Sequence, residues 1–79
     1  MAGYSVFIKP SAVREIDSIP QKKQRERIIA RIRSLGREPR PRGCEKLSGQ
    51  SRYRIRQGAY RIVYSIEDEA LVVYVVKVG

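Results

Sequence analysis

The sequence predicts an α+β domain: an N-terminal strand, two helices, then a three-strand antiparallel meander, with the helices packed on one face of the sheet. Three observations predict it. Tyr4 to Ile8 (YSVFI) is rich in aromatic and β-branched residues, the composition of a strand. Between Pro10 and Leu35 the apolar residues recur at helical spacing. From Cys44 onward the pattern turns to that of strands.

The elements follow in order. Pro10 and Ser11 open the first helix, with Ser11 a favourable N-cap. Ala12, Val13 and Ile16 make its apolar stripe, and Ile19-Pro20 interrupts it. Pro20 suits the first turn of a second, longer helix. Ile28, Ile29, Ile32 and Leu35 form one buried face of that helix, and Gly36 is a natural C-terminal cap. Lys22, Lys23, Arg25, Arg27, Arg31 and Arg33 cover the rest, as long basic side chains do on a wet helix face. Glu38 to Gly43 (EPRPRG) has no periodicity and reads as a loop.

Seventy-nine residues make one domain, spanning 1–79. A chain this short buries only about 60–65% of its unfolded surface, so the core is thin. The charge is lopsided, with 17 Lys plus Arg against 8 Asp plus Glu, a net +9. Such a body repels itself unless a polyanion or an acidic partner neutralises it, and nucleic acid is the first candidate. An acidic protein partner stays open beside it. Cys44 stands alone, which excludes an internal disulfide and fits a reducing, cytoplasmic setting. The N-terminus shows no signal-peptide pattern, and Ala70 to Val76 falls far short of the roughly 20 residues of a membrane span. A soluble protein with no membrane partner is expected.

The segment Ser51 to Tyr64, SRYRIRQGAYRIVY, carries four arginines. With Gly58-Ala59 as a two-residue type II′ turn, Gln57 faces Tyr60, Arg56 faces Arg61, Ile55 faces Ile62, Arg54 faces Val63 and Tyr53 faces Tyr64. Period-two geometry then sorts Tyr53, Ile55, Ile62 and Tyr64 onto one face and Arg52, Arg54, Arg56 and Arg61 onto the other. A slip of one residue would destroy that sorting. With Asp68-Glu69 as the next turn, Ile66 pairs Leu71, Tyr64 pairs Val73 and Ile62 pairs Val75. The core face of the sheet becomes Tyr53, Ile55, Ile62, Tyr64, Ile66, Leu71, Val73 and Val75. Val72 to Val76 is apolar on both faces and suits a central strand.

The opposite face mixes the four arginines with Val63, Val72, Tyr74 and Val76. Arg56 across from Arg61 is a destabilising like-charge pair. Edge-strand protection explains one or two such charges, but not four beside a tyrosine and valines, so a binding site is favoured over a solvated face.

The order strand, two helices, three strands, with "KLSG", "YRIRQGAYRIVYSI" and "VVYVVKVG", resembles RelE-type toxins of toxin–antitoxin pairs over nearly the whole chain. The resemblance implies the small α+β RelE/ParE fold. It further implies a ribosome-dependent mRNA endoribonuclease that cuts messages in the decoding site of the small subunit and is held inactive by an antitoxin. By position, Arg54, Arg56 and Arg61 match the residues acting on the scissile phosphate, and Arg52 joins them in RNA binding. Attack by the neighbouring 2′-OH would need no metal, no other cofactor and no protein nucleophile, and guanidinium groups would stabilise charge developing on the phosphoryl oxygens.

The residues agree in part. The chain has no His, and Glu67, Asp68 and Glu69 lie at a turn distant from the arginines, which disfavours a two-metal carboxylate site. Two departures stand out. The family shows lysines at the positions of Arg54 and Arg56, and arginine stays protonated, so the general base is unidentified. The chain also ends at Gly79, where relatives continue into a short tail bearing a basic residue and a tyrosine. Two further readings therefore stay open: a ParE-like inhibitor of DNA gyrase, and a catalytically dead toxin that only binds its antitoxin. In the last, Val63, Val72, Tyr74 and Val76 would contact the partner, which adds a helix or strand to that surface.

Overall fold

In a computed structural model, which describes residues 3–47, 49 and 51–79, the chain forms β1 (Ser5–Ile8), α1 (Pro10–Asp17), α2 (Lys22–Ser34), β2 (Glu45–Lys46), β3 (Arg52–Gln57), β4 (Tyr60–Glu67) and β5 (Val72–Val78). Ser48 of the KLSG motif lies outside the described residues. The five strands make one sheet in the order β1-β5-β4-β3-β2, with β1 parallel to β5 and the other pairings antiparallel. Both helices cover one face. Ala12, Ile16, Ile19, Ile28, Ile32 and Leu35 from the helical side meet Ile55, Ile62, Tyr64, Ile66, Val73, Val75 and Val78 from the sheet. The valine-rich β5 lies between β1 and β4, the central position its two apolar faces require.

The helix boundaries differ from the expectation at both N-termini. Lys9, not Ser11, is the N-cap of α1, and Pro10 takes the first helical position, where no N–H is needed. The Lys9 N–H is instead satisfied by the Val75 carbonyl at 2.8 Å. Helix α2 begins at Lys22 with Gln21 as cap, so Pro20 stays in the connection. There the Arg25 guanidinium donates to the Ile19 carbonyl at 2.5 Å, bracing the turn between the helices. Ile28, Ile32 and Leu35 form the buried stripe, whereas Ile29 stays 37% exposed on the flank.

Gly36 follows α2, yet its φ is not positive, and the left-handed cap expected there is absent. Its smallness serves a close approach. The Tyr4 N–H donates to the Gly36 carbonyl at 2.7 Å, and a Cβ on Gly36 would lie 3.0 Å from the Tyr4 carbonyl oxygen and 3.1 Å from Val6 Cγ2.

The β3–β4 hairpin has the register the sequence implies, from Gln57 opposite Tyr60 through Tyr53 opposite Tyr64. Gly58 turns at φ +60, and Ala59 is not in the positive region, the φ pattern of a type II′ turn. The β4–β5 hairpin is a correction. Its loop is Asp68–Leu71, with Leu71 at φ +54, so Ile66 pairs Val73 and Tyr64 pairs Val75, two residues beyond the expected register. A shift of two preserves the faces. Beyond Tyr64 a bulge shifts the pairing once more, bringing Val78 opposite Ile62 and into the core at 3% exposure. Leu71, expected in the core, is 38% exposed because it lies in the turn.

Past the bulge, Lys77 points outward to Glu15 at 3.2 Å, while the Val78 N–H donates to the same carboxylate at 2.9 Å. The Val78 amide, more than the Lys77 ammonium, holds Glu15 below the usual carboxylate range. At the other end of β4, Asp68 receives the Tyr4 hydroxyl at 2.7 Å and both Arg40 terminal nitrogens at 3.1 and 2.9 Å. Arg40 lies over the Tyr53 ring, 5.2 Å from its centroid, and Tyr53 stacks on Tyr64 with centroids 5.9 Å apart. The buried Tyr64 hydroxyl donates to the Pro39 carbonyl at 2.7 Å. The irregular segment between α2 and β2 is thus tied to the sheet at two points.

Two outcomes are expected. Gly36→Ala should lower stability by about 1–3 kcal/mol through overpacking between hydrogen-bonded backbones, read from urea unfolding. The second concerns Asp68, whose carboxyl is held near 2 against an ordinary 3.8, first by Arg40 and then by Tyr4. A depressed folded pKa gives stability that is full above the ordinary value and is lost as pH falls toward the folded one. Asp68→Asn should therefore flatten the stability–pH curve between about pH 4 and pH 2, in acid titrations followed by circular dichroism.

Candidate anion-binding site

The site is built on the sheet face that the helices leave uncovered. With Ile55 only 2% exposed and Tyr53 packed beside the core, alternation along β3 directs Arg52, Arg54 and Arg56 to the opposite face. On β4 the same alternation buries Ile62 and Tyr64 and turns Arg61, Val63 and Ser65 outward. The register sets Arg56 directly across from Arg61, and Arg54 across from Val63. Residues directly opposite on an antiparallel pair have Cβ atoms about 4.5–5.5 Å apart, so two guanidinium groups rise from neighbouring backbones.

Arg54, Arg56 and Arg61 line one cavity of about 270 Å³, together with Gly43 and Glu45. Two elements that the sequence does not connect with the arginines complete it. The two-residue strand β2 places Glu45 beside Arg54, with Glu45 Oε2 accepting from an Arg54 terminal nitrogen at 3.4 Å. The segment anchored by Arg40 and Tyr64 leads into it and supplies Gly43. On the far side of β4, the Arg61 N–H and carbonyl exchange hydrogen bonds with Gly79, which fixes the backbone beneath the arginine.

Arg52 stands apart. It lines a separate hollow of about 450 Å³ with Lys9, Ser51, Ser65, Tyr74 and Val76. Three of the four arginines therefore share a cavity, and the fourth extends the positive surface toward β5. Val63, Val72 and Val76 are half-buried on this open face, and Tyr74 is 37% exposed. Phe7, opposite Tyr74 in the β1–β5 register and 54% exposed, adds an apolar neighbour. Its side follows from the alternation in YSVFI, but only once β5 is known to be the partner of β1. Tyr60 packs against the core on the helical face, away from the arginines.

The arrangement can hold a phosphate. Its donors are guanidinium forks, whose planar geometry matches two phosphoryl oxygens at once. Among the described residues, no three His, Cys, Asp or Glu side chains gather as metal ligands, and no helix is long and apolar enough to cross a membrane.

A family model described as "ParE toxin of type II toxin-antitoxin system, parDE" matches residues 6–79. The chain belongs to the RelE/ParE family of toxins. Solved structures agree with a RelE-like toxin of a type II toxin–antitoxin system. The archaeal RelE–RelB complex of Pyrococcus horikoshii is similar at 32% identity and a TM-score of 0.86, over 100% of this chain and 94% of that one. The intact RelBE complex of Escherichia coli gives 29% identity and a TM-score of 0.81, covering 96% and 94%. The isolated Escherichia coli RelE toxin gives 29% and 0.80, covering 96% of this chain and 82% of that one. Among curated proteins, none matches the sequence.

The like-charge pair at the centre of the site yields an expected outcome. Arg56→Gln removes a cross-strand repulsion and should raise the toxin's stability by about 0.2–1 kcal/mol at low salt. The same substitution should weaken retention on a polyanion resin, and added salt should shrink both effects.

Proposed function

We propose that this toxin is a ribosome-dependent mRNA endoribonuclease that cuts message in the decoding site of the small subunit. The observation carrying this reading is the cavity shared by Arg54, Arg56 and Arg61. The 2′-OH of the nucleotide before the scissile bond attacks phosphorus, the bond to the 5′ oxygen breaks, and a cyclic phosphate forms. Charge grows on the non-bridging oxygens during that step. Guanidinium groups held along one cavity stabilise it with little reorganisation at the moment of reaction. No metal and no other cofactor is required by this route. Arg52 and Lys9, in the neighbouring hollow, track the backbone of the flanking message.

An antitoxin is the second partner, supported by the RelB-type antitoxins bound to RelE in the similar complexes. The net charge of +9 favours an acidic one. Val63, Val72, Tyr74 and Val76, extended by Phe7, offer it apolar contact beside the arginines. A ribosomal target sets the working location in the cytoplasm. Inhibition of DNA gyrase is the competing reading, because the matching family is described as ParE.

Programmed ribosomes mixed with the toxin, followed by primer extension, separate the two readings. Codon-phased cuts that disappear in Arg61→Ala are expected. Intact message together with blocked supercoiling by gyrase would turn the assignment to the ParE activity. In binding titrations, Arg54→Ala should reduce the slope of log affinity against log salt by about one. An unchanged slope would remove Arg54 from the RNA contact.

A further inference from the structure

We infer that Glu45 is the proton acceptor for the attacking 2′-OH, the role that the sequence left without a candidate. The inference rests on the nuclease reading above. Cleavage by 2′-OH attack requires that this hydroxyl lose its proton as the new P–O bond forms. The arginines are unfit for that task, because a guanidinium stays protonated in proteins. Among the described residues lining the cavity, Glu45 is the one side chain able to take up a proton.

The other carboxylates with described contacts are engaged elsewhere. Glu15 is held by Val78 and Lys77 at the end of β5, and Asp68 by Arg40 and Tyr4. Glu67 and Glu69 lie at or beside the β4–β5 turn.

A plainer account makes Glu45 an ordinary cross-strand partner of Arg54. Both side chains are well exposed, at 68% and 36%. An exposed pair of that kind is worth only about 0–1 kcal/mol to the fold. Within a cavity suited to phosphate, moreover, a carboxylate opposes anion binding, which disfavours its presence unless it acts in the reaction. Acting as base resolves the conflict. As Glu45 takes the proton its charge disappears, while negative charge grows on the phosphoryl oxygens, so the field of the three arginines falls wholly on the transition state. That is stabilisation weighted toward the transition state over the bound substrate.

The step balances. The 2′ oxygen forms a bond to phosphorus and its proton passes to a Glu45 carboxylate oxygen. The P–O5′ bond breaks, and the departing 5′ oxygen takes a proton from water. The products are a 2′,3′-cyclic phosphate and a 5′-OH, and the protonated carboxyl returns its proton to solvent.

The test is single-turnover cleavage on programmed ribosomes, with ribosome binding measured separately. Glu45→Gln preserves shape and a hydrogen bond to Arg54 but is not basic. It should slow cleavage by about 10²-fold or more while binding stays at the wild-type level or tightens. Glu45→Asp should recover part of the rate. Wild-type cleavage by Glu45→Gln, beside an inactive Arg61→Ala, overturns the role of Glu45 and leaves the nuclease reading intact. Parallel loss of binding and rate in Glu45→Gln reduces Glu45 to a structural partner and equally overturns it. No cleavage by the wild-type toxin sinks the nuclease reading itself, and the inference falls with it.

Discussion

Everything on the open face of this sheet depends on one pairing, the register of β3 against β4. The Gly58-Ala59 turn fixes it at one end, and burial of Ile55 against Ile62 and stacking of Tyr53 on Tyr64 hold it along its length. Because a strand alternates, the same constraint that buries these four residues forces Arg54, Arg56 and Arg61 outward together. The site is in this sense a by-product of core formation: a one-residue slip of register could not turn the arginines away from the open face without also exposing the core. The repulsion between Arg56 and Arg61 is small, some tenths of a kcal/mol, against about 1.5–3 kcal/mol for each large apolar side chain buried behind them.

The second constraint is the anchoring of the irregular segment between α2 and β2. It has little secondary structure of its own, so its course is set by what it touches. Arg40 meets Asp68 and the face of Tyr53, and the Pro39 carbonyl takes the Tyr64 hydroxyl. The chain therefore crosses the end of the sheet and turns round the β3 edge, where β2 pairs and Glu45 reaches the arginine cavity. Tyr53 and Tyr64 serve both constraints at once. Their rings pack at the core and their hydroxyls receive or anchor the segment that closes the site.

What was legible in the sequence follows the range of the interactions. The β3–β4 hairpin could be read because its turn, register and two-faced pattern are all contained in fourteen consecutive residues, 51–64. The β4–β5 hairpin was read two residues short, since no local signal announces Leu71 at φ +54. The error left the faces unchanged, so on the sheet the core forecast failed only for Leu71, with Val78 supplied instead by a bulge that sequence does not mark. On the helices Val13 and Ile29, expected on the apolar stripes, lie at the exposed flanks. The shared cavity of three arginines followed from register, but the separation of Arg52 did not. Each step of two residues along a strand advances about 6.6–6.8 Å, more than the 4.7–4.9 Å between neighbouring strands, so Arg52 drifts out of reach while Arg61 on the next strand stays close. Glu45 and Phe7 were missed for one reason: each reaches the open face through a pairing distant in sequence or too short to leave a periodic trace.

Charge and stability are coupled in this molecule more tightly than in a neutral domain of its size. A thin core must hold together a body of net charge +9, with three arginines lining one cavity. An anion that occupies the cavity relieves that repulsion, and its preference for the folded over the unfolded chain adds to folding stability. On the proposed reading, RNA phosphate and an acidic antitoxin would act on the same variable. Each would stabilise the toxin by neutralising the arginines, and neither could do so fully while the other is present. Competition between the proposed substrate and a neutralising partner would then arise from the electrostatics of the sheet face, without requiring a conformational switch to transmit it.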